Sequence, residues 1–229
     1  MTAVSKIVVY AGTRNVYKQM TTAAKSLLCH THVDRVWFLI EDDAFPEPLP
    51  NKIGVMNVSG QKWFDPDGVN AKKRWGWMSM MRLALPALFP GYDRVLWLDI
   101  DTIVNKDIGE LFTMDLEGCY VGAVEEPMRS KRPFQYFNAG VMIMDLNKLR
   151  GEMTKRLISR ANSTPMDFPD QDVINILCQG YIKEISPYYN SNVWIVEVDD
   201  PAITHFAADR KCTERTLWKQ YENMDWRVL

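Results

Sequence analysis

The chain has 229 residues, 47% of them hydrophobic, and a formal net charge of −2 at pH 7. This near-neutral balance gives no reason to expect a nucleic-acid partner. The length suits one domain over residues 1–229, with a short C-terminal tail at 213–229. The four cysteines are widely spaced, which argues against a structural zinc site. The N-terminus lacks a signal-peptide pattern and no run of about 18 apolar residues occurs, so we expect a cytoplasmic protein without an integral membrane segment.

Apolar runs of strand length alternate with helical segments along the chain. We predict strands at 6–11, 35–40, 53–58, 94–98, 120–124, 141–146, 182–185 and 193–198. We predict helices at 16–28, 78–89, 107–112, 149–160 and 170–178. This alternation favours an α/β protein with a layered sheet.

The strand at 94–98 leads directly into Asp99-Ile100-Asp101. Because this strand is a continuous apolar run, we expect it to be buried on both faces, as in a parallel sheet. Its C-terminal end is then the sheet edge at which α/β proteins bind ligands. Two carboxylates at such an edge repel each other unless a cation lies between them, and their oxygen atoms suit Mg²⁺ or Mn²⁺. A solvated surface turn is the alternative, but the apolar residues on both sides favour the metal site.

Three further motifs follow in order: Phe137-Asn138-Ala139-Gly140, Asp170-Gln171-Asp172, and His205 with Lys211 six residues later. Together with the Asp-Ile-Asp motif, they resemble glycosyltransferase family 8, which includes glycogenin and the bacterial lipooligosaccharide galactosyltransferases, over residues 6 to 212. The resemblance implies a single domain of the GT-A type, with a mostly parallel, Rossmann-like sheet flanked by helices. It also implies that the protein transfers glucose or galactose from a UDP-sugar to an acceptor hydroxyl with retention of configuration.

The resemblance further implies a bound Mn²⁺, with Mg²⁺ as the alternative, and residues to hold it. Asp99 and Asp101 match the acidic metal-binding motif of the family, and His205 matches its histidine ligand. A lone histidine is more commonly a buried core or capping residue, but its position relative to Lys211 favours the ligand interpretation. Lys211 matches the lysine that binds the donor diphosphate, and Arg82 matches a donor-binding basic residue. The alternative for both is a solvated surface charge.

The catalytic candidates implied by the resemblance are Asp170, Gln171 and Asn138, which match residues beside the donor sugar. The acidic residues Asp170 and Asp172 would also suit the N-terminus of a helix without any catalytic role. Glu126 lies where the family often has an acidic residue near the donor. Gln171 occupies the family position considered for a covalent nucleophile. Because an amide is a poor nucleophile, we favour attack by the acceptor on the face that UDP leaves.

The loop after the first strand is expected to hold the uracil. Thr13 and Tyr17 match the threonine and tyrosine of glycogenin, with the tyrosine ring stacked on the base, whereas the galactosyltransferase branch has an aspartate at the Thr13 position. Ala11 and Ile100 complete the predicted donor-binding set. Segment 126–133 is predicted to close over the donor and exclude water.

Two positions depart from the family pattern. The usual glycine three residues after the histidine is Ala208, and the usual Lys-Pro-Trp is Lys211-Cys212-Thr213. Alanine is small enough for a phosphate contact to survive, and the second change leaves the affinity for the diphosphate open.

Other functions remain open at this stage. A nucleotidyltransferase would also combine an α/β fold with acidic metal ligands, but it usually needs a glycine-rich phosphate loop that this chain lacks. A pseudoenzyme that binds a nucleotide sugar or glycan is the second alternative, and self-glucosylation on a tyrosine is a third. The sequence leaves open the sugar, the oligomeric state, and whether the acceptor is a glycan, a lipid-linked sugar or a protein.

Overall fold

Nine strands form the sheets of the protein in the computed structural model, which describes residues 4–71, 76–127, 133–207, 209 and 211–229. They are β1 Ile7–Ala11, β2 Arg35–Ile40, β3 Ile53–Asn57, β4 Arg94–Leu98, β5 Thr102–Val104, β6 Val121–Glu125, β7 Phe137–Asp145, β8 Ile182–Glu184 and β9 Ile203–His205. Seven of them form one sheet in the order β3-β2-β1-β4-β7-β6-β8, while β5 and β9 pair separately. Seven of the eight predicted strands therefore form one layered sheet, as expected.

Within the large sheet, β7 runs antiparallel to both of its neighbours, β4 and β6, and the other pairings are parallel. The 11 residues between the end of β6 and the start of β7 are too few for the crossover that a parallel connection needs. The mostly parallel, Rossmann-like sheet is confirmed, with one reversed strand near its centre.

Helices cover both faces of this sheet. They are α1 Tyr17–His30, α2 Gly76–Leu88, α3 Glu110–Thr113, α4 Leu146–Leu149, α5 Glu152–Ser163, α6 Pro169–Leu177 and α7 Thr216–Glu222. Successive residues of a strand point to opposite faces, so Ile7 and Val9 pack with α2, α5 and α6, whereas Val8 and Tyr10 pack with α1 and α3. Gly151, at φ +73°, separates α4 from α5 and explains why the predicted helix at 149–160 begins later, at Glu152.

The strand predicted at 193–198 is wrong, because this segment forms a turn with isolated bridges to its neighbours. The side-chain oxygen of Asn192 accepts from the backbone N–H of Trp194 at 2.9 Å. The backbone carbonyl of Asn192 accepts from the N–H of Ile195 at 3.1 Å. These local bonds satisfy backbone groups that a strand would pair with a neighbour. The mostly apolar run at 193–198 therefore does not lead to a sheet ladder.

The C-terminal residues pack back onto the fold. Helix α7 lies against α1, and Trp218 within it is fully buried. Among the described residues, no helix is both long enough and apolar enough to cross a membrane.

Candidate active site

A cleft of about 540 Å³ opens at the sheet edge where β1 and β4 end and β7 begins. Because β7 is antiparallel to β4, with Leu98 opposite Val141, the first residues of β7 reach the same edge as the turn after β4. The cleft brings together most of the site residues predicted from the sequence. Those that line it are Ala11, Thr13, Arg82, Asp99, Ile100, Asp101, Glu126, Asn138, Asp170, Gln171 and His205.

The acidic motif forms a tight turn that links the large sheet to the small one. Strand β4 ends at Leu98, and the carbonyl of Asp99 accepts from the backbone N–H and hydroxyl of Thr102 at 3.2 and 2.7 Å. Thr102 opens β5, which pairs antiparallel with β9 so that Thr102 lies opposite His205. This pairing carries His205 from a distant part of the chain to the two carboxylates.

The three predicted metal ligands are close enough to share one cation. His205 Nε2 lies 3.3 Å from Asp101 Oδ1 and 4.0 Å from Asp99 Oδ2. One ligand atom from each residue can be chosen so that all lie within 4.8 Å of one another. Two carboxylates and one imidazole are a donor set that suits Mn²⁺. The residues present therefore fit the cation that the sequence implies.

The ionisation of this cluster is set by burial and by mutual attraction. Burial disfavours the charged carboxylate of Asp101, but His205 and Arg82 outweigh it and lower the pKa of Asp101. Burial likewise disfavours the imidazolium of His205, but Asp101 and Asp99 outweigh it and raise the pKa of His205. A cation at Nε2 competes with the proton held there, so metal binding should release a proton.

Gly140 makes room for His205. A Cβ atom at position 140 would lie 2.1 Å from Cε1 of the imidazole, far inside any tolerable contact. The backbone of Gly140 also accepts from the N–H of Asp99 at 2.7 Å, which ties β7 to the acidic turn. The glycine of the Asn-Ala-Gly motif therefore allows the histidine to pack directly against β7.

Arg82 of α2 joins the predicted metal ligand Asp99 to Asp170, which is predicted to lie beside the donor sugar. Its guanidinium donates to Asp99 Oδ1 at 2.8 Å and lies 2.9 Å from Asp170 Oδ2, while its side chain is only 5% exposed. It also stacks over Trp97, 4.5 Å from the ring centroid. Burial is the main cause that raises the pKa of Asp170, with repulsion from Asp99 adding to it and attraction by Arg82 opposing it. Arg82 is thus an internal bridge rather than the surface charge considered as its alternative.

A chain of buried hydrogen bonds continues from His205 through side-chain amides. His205 Nδ1 is 2.8 Å from Asn190 Oδ1, and Asn190 Nδ2 donates to Asn138 Oδ1 at 2.9 Å. Asn138 Nδ2 and Gln171 Nε2 both donate to Glu126 Oε2, at 2.9 and 3.1 Å. These bonds connect His205 to Gln171 by a second route, separate from the ion pairs of Arg82.

Of the two residues predicted to hold the uracil, Thr13 lines the cleft and Tyr17 does not. Thr13 donates from its hydroxyl to the side chain of Asn15, at the rim. Tyr17 is buried, its hydroxyl bonds Asp42 Oδ2 at 2.9 Å, and its ring packs on Phe45 at 4.9 Å between centroids. The tyrosine ring therefore does not face the space where a base would stack.

Lys211 is exposed and does not line the cleft, although its neighbour Cys212 does. Burial is the main cause that raises the pKa of the Cys212 thiol to about 11. Ala208 lies outside the described residues, as do residues 128–132 of the segment predicted to close over the donor.

Sequence reasoning missed three residues that support the site. Asn190 holds His205, Trp97 donates from its indole to Asp99 Oδ1 at 2.8 Å, and Trp194 forms part of the cleft wall. Asn190 and Asn192 are amides on either side of Ser191 in an otherwise apolar and aromatic stretch, a signal that could have marked them. Nothing in the pattern around either tryptophan distinguishes it from a core residue.

Comparisons with known proteins agree with this geometry. The model of the family Glycosyl transferase family 8 matches residues 7–212. The chain is 31% identical over 143 residues to the lipopolysaccharide 1,2-glucosyltransferase of Escherichia coli (strain K12), covering 56% of this chain and 42% of that protein. It is 28% identical over 254 residues to glycosyltransferase GlyA of Streptococcus pneumoniae serotype 4 (strain ATCC BAA-334 / TIGR4), covering 98% of this chain and 36% of GlyA. The chain thus spans less than half the length of these curated relatives.

Solved structures show the same fold. The structure resembles the galactosyltransferase LgtC crystallised with donor and acceptor sugar analogues, with a TM-score of 0.76 at 21% identity over 97% of this chain and 99% of that one. It also resembles glycosyltransferase GlyE of Streptococcus pneumoniae TIGR4, with a TM-score of 0.73 at 22% identity over 99% of this chain and 62% of that one. The fold is of the GT-A type, and the chain belongs to glycosyl transferase family 8.

Proposed function

We propose that this protein is a retaining glycosyltransferase that transfers glucose or galactose from a UDP-sugar to an acceptor hydroxyl and depends on Mn²⁺, with Mg²⁺ as a substitute. One observation carries the proposal. Asp99, Asp101 and His205 can each direct a ligand atom to a common position, in the same cleft that holds Asp170, Gln171 and Asn138.

Asp99, Asp101 and His205 would hold the cation, and the bound ion would supply positive charge against the diphosphate that leaves. Arg82 adds a fixed positive charge in the cleft wall, where water is largely excluded and charge acts strongly. Lys211, from the exposed segment next to Cys212, would reach the diphosphate from outside. Ala11, Thr13 and Ile100 line the part of the cleft that would receive the nucleoside.

The sugar end has no obvious covalent nucleophile among the described residues. Asp170 is held in an ion pair with Arg82, and Gln171 accepts from the N–H of Ala139 at 2.8 Å and carries an uncharged amide. We therefore favour attack by the acceptor oxygen on the face that UDP leaves. The bond from the anomeric carbon to the diphosphate breaks, the bond to the acceptor forms, and the acceptor proton passes to a diphosphate oxygen. Asp170 and Asn138 would orient the sugar hydroxyls.

The first experiment is hydrolysis of a panel of UDP-, GDP- and CMP-sugars in Mn²⁺ and in EDTA, with the product anomers followed by NMR. We expect Mn²⁺-dependent release of one hexose from a UDP-sugar, initially as the α-anomer. Asp101→Asn is the matched variant, because it removes a ligand charge while preserving the shape of the side chain. Release that continues in EDTA, or with Asp101→Asn, would contradict the metal proposal.

If no donor is hydrolysed, UDP binding measured by thermal shift distinguishes a protein that binds UDP without turnover from one that does not bind UDP. Binding of UDP without turnover would favour the pseudoenzyme, unless an added glycan, lipid-linked sugar or protein acceptor restores transfer. Absence of UDP binding would contradict the proposed donor.

A further inference from the structure

The hydrogen bonds around Asn190 determine which nitrogen of His205 carries a proton. The starting point is the backbone N–H of Gly140, which can only donate and lies 2.9 Å from Asn138 Oδ1. The atom of Asn138 at that position must be the oxygen. The atom of Asn190 that lies 2.9 Å from the same oxygen must then be its amide nitrogen.

The other end of the Asn190 amide is consequently an oxygen, and it lies 2.8 Å from Nδ1 of His205. An amide oxygen can only accept, so Nδ1 must carry a proton. The neutral imidazole has one N–H, and its two acceptors are Asn190 Oδ1, 2.8 Å from Nδ1, and Asp101 Oδ1, 3.3 Å from Nε2. The shorter contact favours the proton on Nδ1 and leaves the lone pair on Nε2. This is the tautomer that can bind a cation between the imidazole and the carboxylates.

A second backbone donor fixes the same orientation independently. The N–H of Trp194 lies 2.9 Å from Asn192 Oδ1, so the opposite end of the Asn192 amide is its nitrogen. That nitrogen donates to Asn190 Oδ1 at 3.1 Å. Asn190 is completely buried, and His205 is only 4% exposed. Bulk water therefore cannot readily replace the amide oxygen that Nδ1 requires.

We propose that Asn190 is a positioning residue for the metal site: its amide holds His205 in the Nδ1–H tautomer and directs the Nε2 lone pair at Asp99 and Asp101. The inference rests on the metal site of the proposed function and extends it by one residue. Asn190 does not touch the cation itself. Outer hydrogen-bond partners of this kind typically contribute about 10- to 100-fold to metal affinity.

The test titrates Mn²⁺ into the full chain and follows free Mn²⁺ by electron paramagnetic resonance. Asn190→Ala should weaken Mn²⁺ binding by about tenfold or more, because it removes the acceptor for Nδ1. Asn192→Ala is the matched control, since it deletes a buried amide of the same loop that donates to Asn190 but does not contact His205. The bond to Asn138 still orients Asn190 in this variant, so its Mn²⁺ affinity should fall less than that of Asn190→Ala. UDP binding measured in EDTA should be unchanged in both variants.

The second measurement needs no variant that alters the loop. The chain has three histidines, so nitrogen-15 NMR at alkaline pH can identify the tautomer of each ring, with His30→Gln and His32→Gln used for assignment. We expect the metal-free wild type to carry its His205 proton on Nδ1. A proton on Nε2, or equal loss of Mn²⁺ affinity in Asn190→Ala and Asn192→Ala, would overturn the inference and leave the proposed function standing. Failure of the wild type to bind Mn²⁺ would instead contradict the metal site itself, and the inference with it.

Discussion

Replacing Gly140 with alanine tests the packing on which the proposed metal site depends. The added Cβ would lie 2.1 Å from His205 Cε1 and 2.8 Å from Nδ1. An ordinary carbon–carbon contact is about 3.5 to 4.0 Å, so the ring would have to move by about 1.5 Å. The bond from Nδ1 to Asn190, now 2.8 Å, would stretch beyond hydrogen-bonding range. His205 is 4% exposed, so no water-filled space is available for that movement.

Two costs follow from this displacement. Overpacking of a filled interior typically costs about 1–3 kcal/mol. A buried hydrogen bond left unmade costs about 1–3 kcal/mol more. We therefore expect Gly140→Ala to lower the free energy of unfolding by about 2–6 kcal/mol, measured by urea denaturation in EDTA. Mn²⁺ affinity should fall as well, because the displaced ring no longer holds Nε2 in its present position beside the carboxylates.

A double-mutant cycle isolates the contact. In Gly140→Ala/His205→Ala the ring is absent, so the added methyl group has nothing to displace. The two substitutions should then be non-additive, with a coupling free energy of at least about 1 kcal/mol. Gly91→Ala is the control, since a Cβ there meets nothing within 4 Å. Strict additivity, or a Gly140→Ala protein as stable as the Gly91→Ala control, would refute the packing argument.

Three further substitutions or conditions probe other parts of the site. Arg82→Lys should lower the free energy of unfolding by about 2–4 kcal/mol and reduce transfer, because a lysine cannot bridge both Asp99 and Asp170. Urea denaturation and turnover assays measure these effects, and unchanged values would contradict the bridging role. Tyr17→Phe should leave UDP affinity within about twofold but cost about 1–2 kcal/mol of stability, because the hydroxyl donates to Asp42 and accepts from the N–H of Glu41 and both bonds are lost. A sharp fall in UDP binding, measured by calorimetry, would contradict this. Mn²⁺ affinity should rise as the pH increases through and above the ordinary titration range of histidine and then level off, because His205, whose pKa is raised, must lose its Nε2 proton before it can bind the cation. A flat profile in a pH series of titrations would argue against His205 as a ligand.

The parts of this structure that local pattern determines could be predicted from the sequence. The apolar run before Asp99 predicted a buried central strand, and β4 lies between β1 and β7 as the fourth of seven strands. The resemblance to the family, and no local pattern, implied that His205 from the C-terminal part of the chain joins the two aspartates, and all three residues line the cleft. The single domain over residues 1–229 and the individual site roles stay predictions.

What the sequence left undetermined depends on groups far apart in the chain. An apolar run such as β7 has the same pattern in either direction, so its reversal had to come from the short connection that precedes it. Tyr17 has the spacing of a base-stacking residue, but Asp42 binds its hydroxyl and turns the ring into the core.

The role of Asn190 illustrates the same limit most sharply. The sequence around a loop asparagine does not indicate which residue it bonds. The role of Asn190 can be inferred only from its position among Gly140, Asn138 and His205 in the fold. Motifs identify groups that touch the cation or the substrate, because that chemistry restricts the residue type. The groups that orient them need only an oxygen or a nitrogen at the right position, and many side chains or backbone atoms could supply it. The residues that support the predicted ligands could therefore be found only from the folded structure. The Asn190 and Gly140 variants would measure how much these residues contribute to Mn²⁺ affinity and to the free energy of unfolding.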